Sequence, residues 1–208
     1  MFDARLRRVV DPYVDFVAAQ LARRGVSADA LTWAGFGVGL LAVVAVAYEA
    51  FGAALVLFLL NRLADGLDGA VARRTKLSDR GGFLDIVLDF LVYAGMVFGF
   101  AVADPEANAL AAAFLLFSFM GTGSSFLAFA IMAAKRGITT ERRGRKSFYY
   151  LGGLAEGAET MLFLVMACLR PDWFVPMAVG FAALCWVTTA ARILSGVQLL
   201  RESPDRPS

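Results

Sequence analysis

Residues 82–103 read GFLDIVLDFLVYAGMVFGFAVA, an apolar run with two aspartates near its start. A helix needs about 20 residues to cross the hydrocarbon core of a bilayer, so this run is long enough to span it. Five similar apolar runs lie at residues 31–48, 50–72, 107–134, 147–169 and 173–200. One such run also fits the core of a soluble protein, but six in succession do not. The sequence therefore predicts an all-α integral membrane protein with six transmembrane helices.

The composition agrees with this class. Of the 208 residues, 59% are hydrophobic and 18% are charged, whereas a soluble domain is about 45–50% apolar and about 25% charged. The runs occupy most of the chain, so we expect a single membrane domain over residues 1–208. The chain has no histidine, so proton transfer near neutral pH would use carboxylates and a metal site would use oxygen ligands.

The segment ahead of the first span, residues 1–25, has the spacing of an amphipathic helix, with apolar residues recurring every three or four positions between arginines and aspartates. Such a helix lies in the membrane interface or packs on the bundle, and the sequence leaves both open. Ser27 and Asp29 are candidate N-caps for the first span.

Basic residues are grouped in residues 5–24, 73–80 and 135–146, whereas the connections near residues 49, 104–106 and 172 are acidic. By the positive-inside rule both termini are cytoplasmic, which requires an even number of spans. In a bacterium the membrane would be the inner, cytoplasmic one.

Six carboxylates lie inside the predicted spans, where each costs about 2.5–3.5 kcal/mol. They are Asp65 and Asp68, Asp85 and Asp89, and Glu156 and Glu159. The spacings i,i+3 and i,i+4 place each aspartate pair on one helical face. The short connection makes the second and third spans antiparallel neighbours, so we expect the aspartate pairs to face one another across a narrow gap.

Four facing carboxylates repel one another unless a cation lies between them. Oxygen ligands select hard ions such as Mg²⁺, Mn²⁺ or Ca²⁺. Two divalent ions fit the summed charge of the six acids and Arg62. Arg62 itself needs an acidic partner at this depth. Asp65 is the local candidate, and we favour Glu156 or Glu159 because Asp65 is committed to metal.

Small residues accompany the acids. Gly66 fits helix packing as well as function, whereas Gly69 and Ala72 lie one turn from the carboxylates, where a flat or phosphorylated ligand could approach the backbone. Arg73 is either a topology determinant or a phosphate contact, and its register after Asp68 favours the contact.

The pattern Asp65-x-x-Asp68-Gly69-x-x-Ala72-Arg73, then Gly81-x-x-x-Asp85-x-x-x-Asp89, closely resembles the signature of the CDP-alcohol phosphotransferases. These membrane enzymes make phospholipids by exchanging the CMP of a CDP-alcohol for another alcohol. One spacing departs from the family pattern, because seven residues rather than eight separate Arg73 from Gly81. Gly82 restores eight, so both glycines are candidates for the nucleotide contact.

The resemblance implies a role for each of these residues. Asp65, Asp68, Asp85 and Asp89 would hold two divalent ions, Mg²⁺ or Mn²⁺, and Asp89 would be the general base. Contacts with the CDP group are implied for Asp68, Gly69, Ala72, Arg73 and either Gly81 or Gly82. Family members are commonly homodimers, so we expect one here, in contact with membrane lipid and without a nucleic-acid partner.

We expect CDP-diacylglycerol as donor and a small water-soluble alcohol as acceptor, because acids below the membrane surface let the diacyl chains stay in the bilayer. An alternative within the family is a soluble CDP-choline or CDP-ethanolamine donor with diacylglycerol as acceptor. An alternative from another class is a transporter of divalent cations or one coupled to protons. Glu156 and Glu159 are structural counter-charges or line the acceptor pocket.

Overall fold

The structure is a computed structural model that describes residues 2–136 and 155–202. Within these two ranges the chain forms seven α-helices and no β-strand. The helices are α1 (Phe2–Arg23), α2 (Ala28–Ala47), α3 (Phe51–Arg74), α4 (Asp79–Ala103), α5 (Pro105–Lys135), α6 (Gly157–Leu169) and α7 (Phe174–Glu202). A short 3-10 turn, Pro171–Trp173, leads into α7.

Four of the described segments are long and apolar enough to cross a membrane: α2, α4, α5 and the segment Pro171–Gln198 that contains most of α7. The predicted all-α class is thereby confirmed, and the four segments support its assignment to a membrane. Helix α3 has 24 residues but carries five charged residues, four of them in its second half. Helix α6 has 13 residues, and residues 147–154 of the predicted fifth span lie outside the described residues. Six spans and an interfacial position for α1 therefore stay predictions.

Polar residues at the helix starts hold α2 and α4 together. The Ser27 hydroxyl accepts a hydrogen bond from the Ala30 amide at 3.2 Å, which confirms Ser27 as the N-cap of α2. Asp29 is not the cap; it lies in the first turn of α2 and pairs with Arg80 of α4 at 3.5 Å. The start of α2 is thus tied to the start of α4.

Helix α2 packs along both α3 and α4, whereas α3 and α4 scarcely approach each other through their backbones. Two glycines of α2 allow it to lie close to both of these helices. A Cβ at Gly35 would lie 2.9 Å from the Ala64 Cβ in α3, and one at Gly39 would lie 2.6 Å from the Val92 Cγ2 in α4. Helices α3 and α4 therefore face one another through their side chains, as expected, with α2 packed on both and a cleft between their aspartates.

The apolar core lies toward the end of the bundle away from the aspartates. Stacked rings join the first turn of α3 to the last turn of α4 and the start of α7, with Phe51 and Phe100 5.6 Å apart and Phe100 and Phe174 4.4 Å apart between ring centroids. The other end of the α3 and α4 pair carries the carboxylates. Packing is tight at one end, and the cleft lies at the other.

Candidate functional site

Three of the four signature aspartates converge at the cleft. Carboxylate oxygens of Asp65, Asp68 and Asp85 all lie within 4.8 Å of one another. Asp68 is buried, Asp65 is half-buried and Asp85 is exposed. These carboxylates border a small open cleft, which Asp89 also lines. Three carboxylate oxygens at this separation form a donor set that fits a hard divalent cation.

Helix α2 contributes a hydroxyl to this group. The Thr32 hydroxyl donates a hydrogen bond to the Asp68 Oδ2 at 2.6 Å, and Asp68 is only 7% exposed. Thr32 thereby orients a carboxylate of α3 from the neighbouring helix. Sequence reasoning missed Thr32, because a threonine hydroxyl in an apolar helix usually bonds to its own backbone, and this one also lies 3.1 Å from the Ala28 carbonyl.

The fourth aspartate, Asp89, is bound by Arg62. The Arg62 Nη1 donates to the Asp89 Oδ2 at 2.9 Å, and Nη2 donates to Oδ1 at 2.6 Å. The Arg62 side chain is 11% exposed and that of Asp89 is 29% exposed. Both oxygens of Asp89 are therefore occupied by one guanidinium, and Asp89 stands apart from the three-carboxylate group although it lines the same cleft.

Two further side chains hold Arg62 in place. The Asn61 Oδ1 accepts from Nε at 2.9 Å and from Nη2 at 2.7 Å, and the Tyr93 hydroxyl accepts from Nη1 at 2.7 Å. Asn61 is itself fixed, since its amide nitrogen donates to the Gly35 carbonyl at 2.9 Å. Sequence reasoning did not single out Asn61 or Tyr93. Asn61 carried a usable signal, because a polar amide inside an apolar run needs a hydrogen-bond partner.

Of the two predicted partners of Arg62, the favoured glutamate is wrong, whereas Asp65 makes a contact of 3.7 Å that is longer than the one with Asp89. Glu156 instead lies 3.3 Å from Nη2 of the buried Arg192 in α7. The Glu159 Oε2 accepts a hydrogen bond from the Glu156 amide at 3.2 Å. The physical reason is that α6 begins at Gly157, so both glutamates lie at a helix start, where amides need acceptors. These contacts favour the structural role, and an acceptor pocket at this position stays a prediction.

The candidate nucleotide residues of α3 follow the carboxylates along the helix. A Cβ at Gly66 would meet no atom within 4 Å, and one at Gly69 would lie 3.4 Å from the Arg73 Nη1. No described neighbour therefore packs closely on Gly66, which argues against helix packing as its role. Ala72 is half-buried and Arg73 is exposed, so the Arg73 guanidinium is free to approach a ligand at the end of α3.

The two candidate glycines of α4 differ in their surroundings. Gly81 donates its amide to the N-cap hydroxyl of Ser78 at 3.1 Å, and a Cβ there would lie 3.2 Å from that oxygen. A Cβ at Gly82 would meet no atom within 4 Å. Of the two, Gly82 is the residue whose open side leaves room for a ligand.

Known proteins are similar to this chain in sequence and in fold. The sequence profile of the CDP-alcohol phosphatidyltransferases matches residues 26–194. The inner membrane protein YnjF of Escherichia coli K12 is 53% identical over 201 residues, covering 97% of this chain and 98% of that protein. The archaetidylinositol phosphate synthase of Pyrococcus horikoshii is 34% identical over 100 residues, covering 48% of this chain and 53% of that protein.

A solved structure supports the fold. The crystal structure of Mycobacterium tuberculosis phosphatidylinositol phosphate synthase (PgsA1) with CDP-DAG bound superposes with a TM-score of 0.60 at 21% identity, covering 94% of this chain and 98% of that chain. The resemblance predicted from the aspartate signature is confirmed by the match of the family profile. The chain therefore belongs to the CDP-alcohol phosphatidyltransferase family and is a transferase of phosphate-containing groups.

Proposed function

We propose that the protein transfers a phosphatidyl group from CDP-diacylglycerol to a small alcohol and releases CMP. The observation that carries this proposal is the convergence of Asp65, Asp68 and Asp85 on one cleft beside Asp89. These residues are the aspartates of the family signature, and membership of the family limits the chemistry to CDP-alcohols. A cation transporter is no longer a candidate, because the chain is a transferase.

A lipid donor suits the surroundings of the aspartates. Exposed apolar side chains alternate with the acids along both helices, among them Leu63 on α3 and Phe83, Ile86 and Phe90 on α4. Acyl chains can remain against such a surface while the cytidine group reaches the carboxylates. The fold neighbour was solved with CDP-DAG bound, so this donor is the first to test, with CDP-choline and CDP-ethanolamine as comparators.

We propose that Asp65, Asp68 and Asp85 hold a divalent cation, Mg²⁺ or Mn²⁺, because all three donors are carboxylate oxygens. When bound, such an ion neutralises negative charge on the pyrophosphate and on the departing CMP. A second ion in the complex with substrate stays a prediction. The open side of Gly82 and the exposed Arg73 suit contacts with the CDP group.

Asp89 is proposed as the general base. It would take the proton of the acceptor hydroxyl while that oxygen bonds to the β-phosphorus and the bond from this phosphorus to CMP breaks. Each carboxylate oxygen has two lone pairs, so Asp89 can accept this proton while Arg62 holds both of its oxygens. Arg62, Asn61 and Tyr93 would keep Asp89 in one orientation throughout the step.

We also propose that the site and both termini are cytoplasmic and that the protein is a homodimer in the inner membrane. The distribution of basic residues supports the orientation. The membrane is supported by the relative YnjF, which is named an inner membrane protein. The family resemblance alone supports the homodimer.

The test uses purified protein with labelled CDP-diacylglycerol, Mg²⁺ or Mn²⁺ and a panel of small alcohols, and it identifies the lipid product by its mass. CMP release should require both the divalent ion and an alcohol. Asp89→Asn should nearly abolish turnover yet keep measurable binding of the CDP-alcohol. Asp172→Asn is the matched control, because Asp172 is exposed and pairs only with Arg170 in the described part of the chain. Full turnover by Asp89→Asn would remove Asp89 as the base, and no CMP release from any donor would refute the function.

A further inference from the structure

We infer that Arg62 competes with divalent cations for Asp89, so that the enzyme without nucleotide holds one ion, at Asp65, Asp68 and Asp85, rather than two. Arg62 is then a positioning residue for Asp89. This inference rests on the proposed metal-dependent transfer, and it assigns a role to a residue outside the aspartate signature.

The first support is the form of the contact. Two parallel hydrogen bonds of 2.9 and 2.6 Å join the guanidinium to both oxygens of Asp89. A paired contact of this kind between arginine and a carboxylate is stronger and more directional than a single charged hydrogen bond. A cation that takes either oxygen of Asp89 must weaken one of these bonds.

The second support is the saturation of Arg62. A guanidinium has five N–H donors, and all five are used here: two on Asp89, two on Asn61 and one on Tyr93. The group also lies over the Tyr93 ring, 4.9 Å from its centroid, and 5.8 Å from that of Phe58. Because every donor is satisfied in this one orientation, Arg62 has no better position to move to when a cation approaches.

The third support is the distribution of charge. Asp89 already has a positive partner, whereas Asp65 has only a longer 3.7 Å contact with Arg62, and Asp68 is held by the neutral Thr32. Three carboxylates within 4.8 Å of one another therefore still need a cation, and one divalent ion supplies it. A second ion on Asp89 would lie beside a fixed guanidinium of the same sign.

Two isosteric variants on α4, one turn apart, test the inference. Mn²⁺ binding to purified protein without nucleotide is measured by equilibrium dialysis for the wild type, Asp85→Asn and Asp89→Asn. We expect one tightly bound ion in the wild type. Asp85→Asn should weaken it at least about tenfold, the usual scale for damage to a metal site. Asp89→Asn should change its affinity by less than about twofold, because Asp89 is not among the three carboxylates that hold the ion, and the amide oxygen still accepts one of the two hydrogen bonds from Arg62.

Arg62→Met gives an independent test, because removal of the competing guanidinium should make Asp89 available to a second Mn²⁺ ion. Arg192→Met is the matched control, since it also removes a buried arginine paired with a carboxylate but touches none of the four aspartates. We expect a second bound ion in Arg62→Met only. If Arg62→Met does not fold, the comparison of Asp85→Asn with Asp89→Asn still tests whether Asp89 takes part in ion binding.

Several outcomes overturn the inference. It is wrong if the wild type binds two ions with similar affinity. It is also wrong if Asp85→Asn and Asp89→Asn lose affinity equally, or if a folded Arg62→Met variant binds the same number of ions as the wild type. If CMP release remains metal-dependent in these cases, only the role of Arg62 is lost. Absence of both Mn²⁺ binding and CMP release would instead refute the proposed function together with the inference.

Discussion

Thr32→Val removes the hydroxyl that α2 donates to Asp68 and keeps a side chain of nearly the same shape. We expect this change to weaken divalent-ion binding although Thr32 itself is not among the proposed ligands. Asp68 is buried, so water does not readily replace the lost donor. The carboxylate would be less well oriented toward Asp65 and Asp85. The free energy needed to bring the three carboxylates around one ion would therefore rise.

The magnitude follows from the hydrogen bond itself. Its length of 2.6 Å is that of a charge-assisted bond from a hydroxyl to a carboxylate, and such bonds contribute about 1.5–3 kcal/mol. The bond is present before the ion binds, so only the free energy needed to turn a released Asp68 carboxylate back toward Asp65 and Asp85 counts against binding, and we take the lower end of this range as its upper limit. A loss of about 1.4 kcal/mol corresponds to an increase of about tenfold in the dissociation constant for Mn²⁺.

The assay is a Mn²⁺ titration of purified protein, with Thr32→Ser as the matched control. Serine keeps the hydroxyl and loses only the methyl group, so its affinity should lie within about twofold of the wild type. Circular dichroism confirms that both variants are folded. Wild-type affinity in a folded Thr32→Val variant would refute the reasoning, and equal losses in both variants would assign the effect to the methyl group rather than the hydroxyl.

Gly39→Ala should lower the thermal stability of the protein, because its Cβ would lie 2.6 Å from the Val92 Cγ2 and overpacking costs about 1–3 kcal/mol. Gly37→Ala, which meets nothing within 4 Å, should unfold near the wild-type temperature, and equal losses would contradict close packing at Gly39. Gly82→Ala should fold normally but raise the KM for the CDP-alcohol several-fold, and an unchanged KM would remove Gly82 from the nucleotide site. Chelation by EDTA should abolish CMP release, and added Mg²⁺ or Mn²⁺ should restore it; full activity after chelation would contradict metal dependence.

The positions of the helices could be predicted from the sequence because bilayer thickness sets the length of an apolar run. The first span was expected at 31–48 and α2 is Ala28–Ala47; the third was expected at 82–103 and α4 is Asp79–Ala103. The starts shifted by three residues because Ser27 and Ser78, which cap these helices, are polar and lie outside the apolar runs.

The convergence of three aspartates could be predicted because helical spacing puts Asp65 and Asp68 on one face, and a short connection brings Asp85 back beside them. The partner of Arg62 could not be predicted in this way. Asp65, Asp89 and the glutamates all satisfy the need for a nearby negative charge, and the choice depends on how far α2 separates α3 from α4. Helix α2 lies close to both helices at Gly35 and Gly39, and the spacing of residues along the chain does not predict the resulting distance between α3 and α4.

The 3.7 Å contact between Arg62 and Asp65 has a consequence for biosynthesis. Ribosomal synthesis delivers α3 before α4, so the arginine is made before Asp89 exists. Asp65 is one turn away on the same helix and is present as soon as that helix forms, so it can offset the charge of the guanidinium before α4 is made. In the folded structure the arginine also makes the shorter two-oxygen contact with Asp89, and Asp65 lies among the other acids.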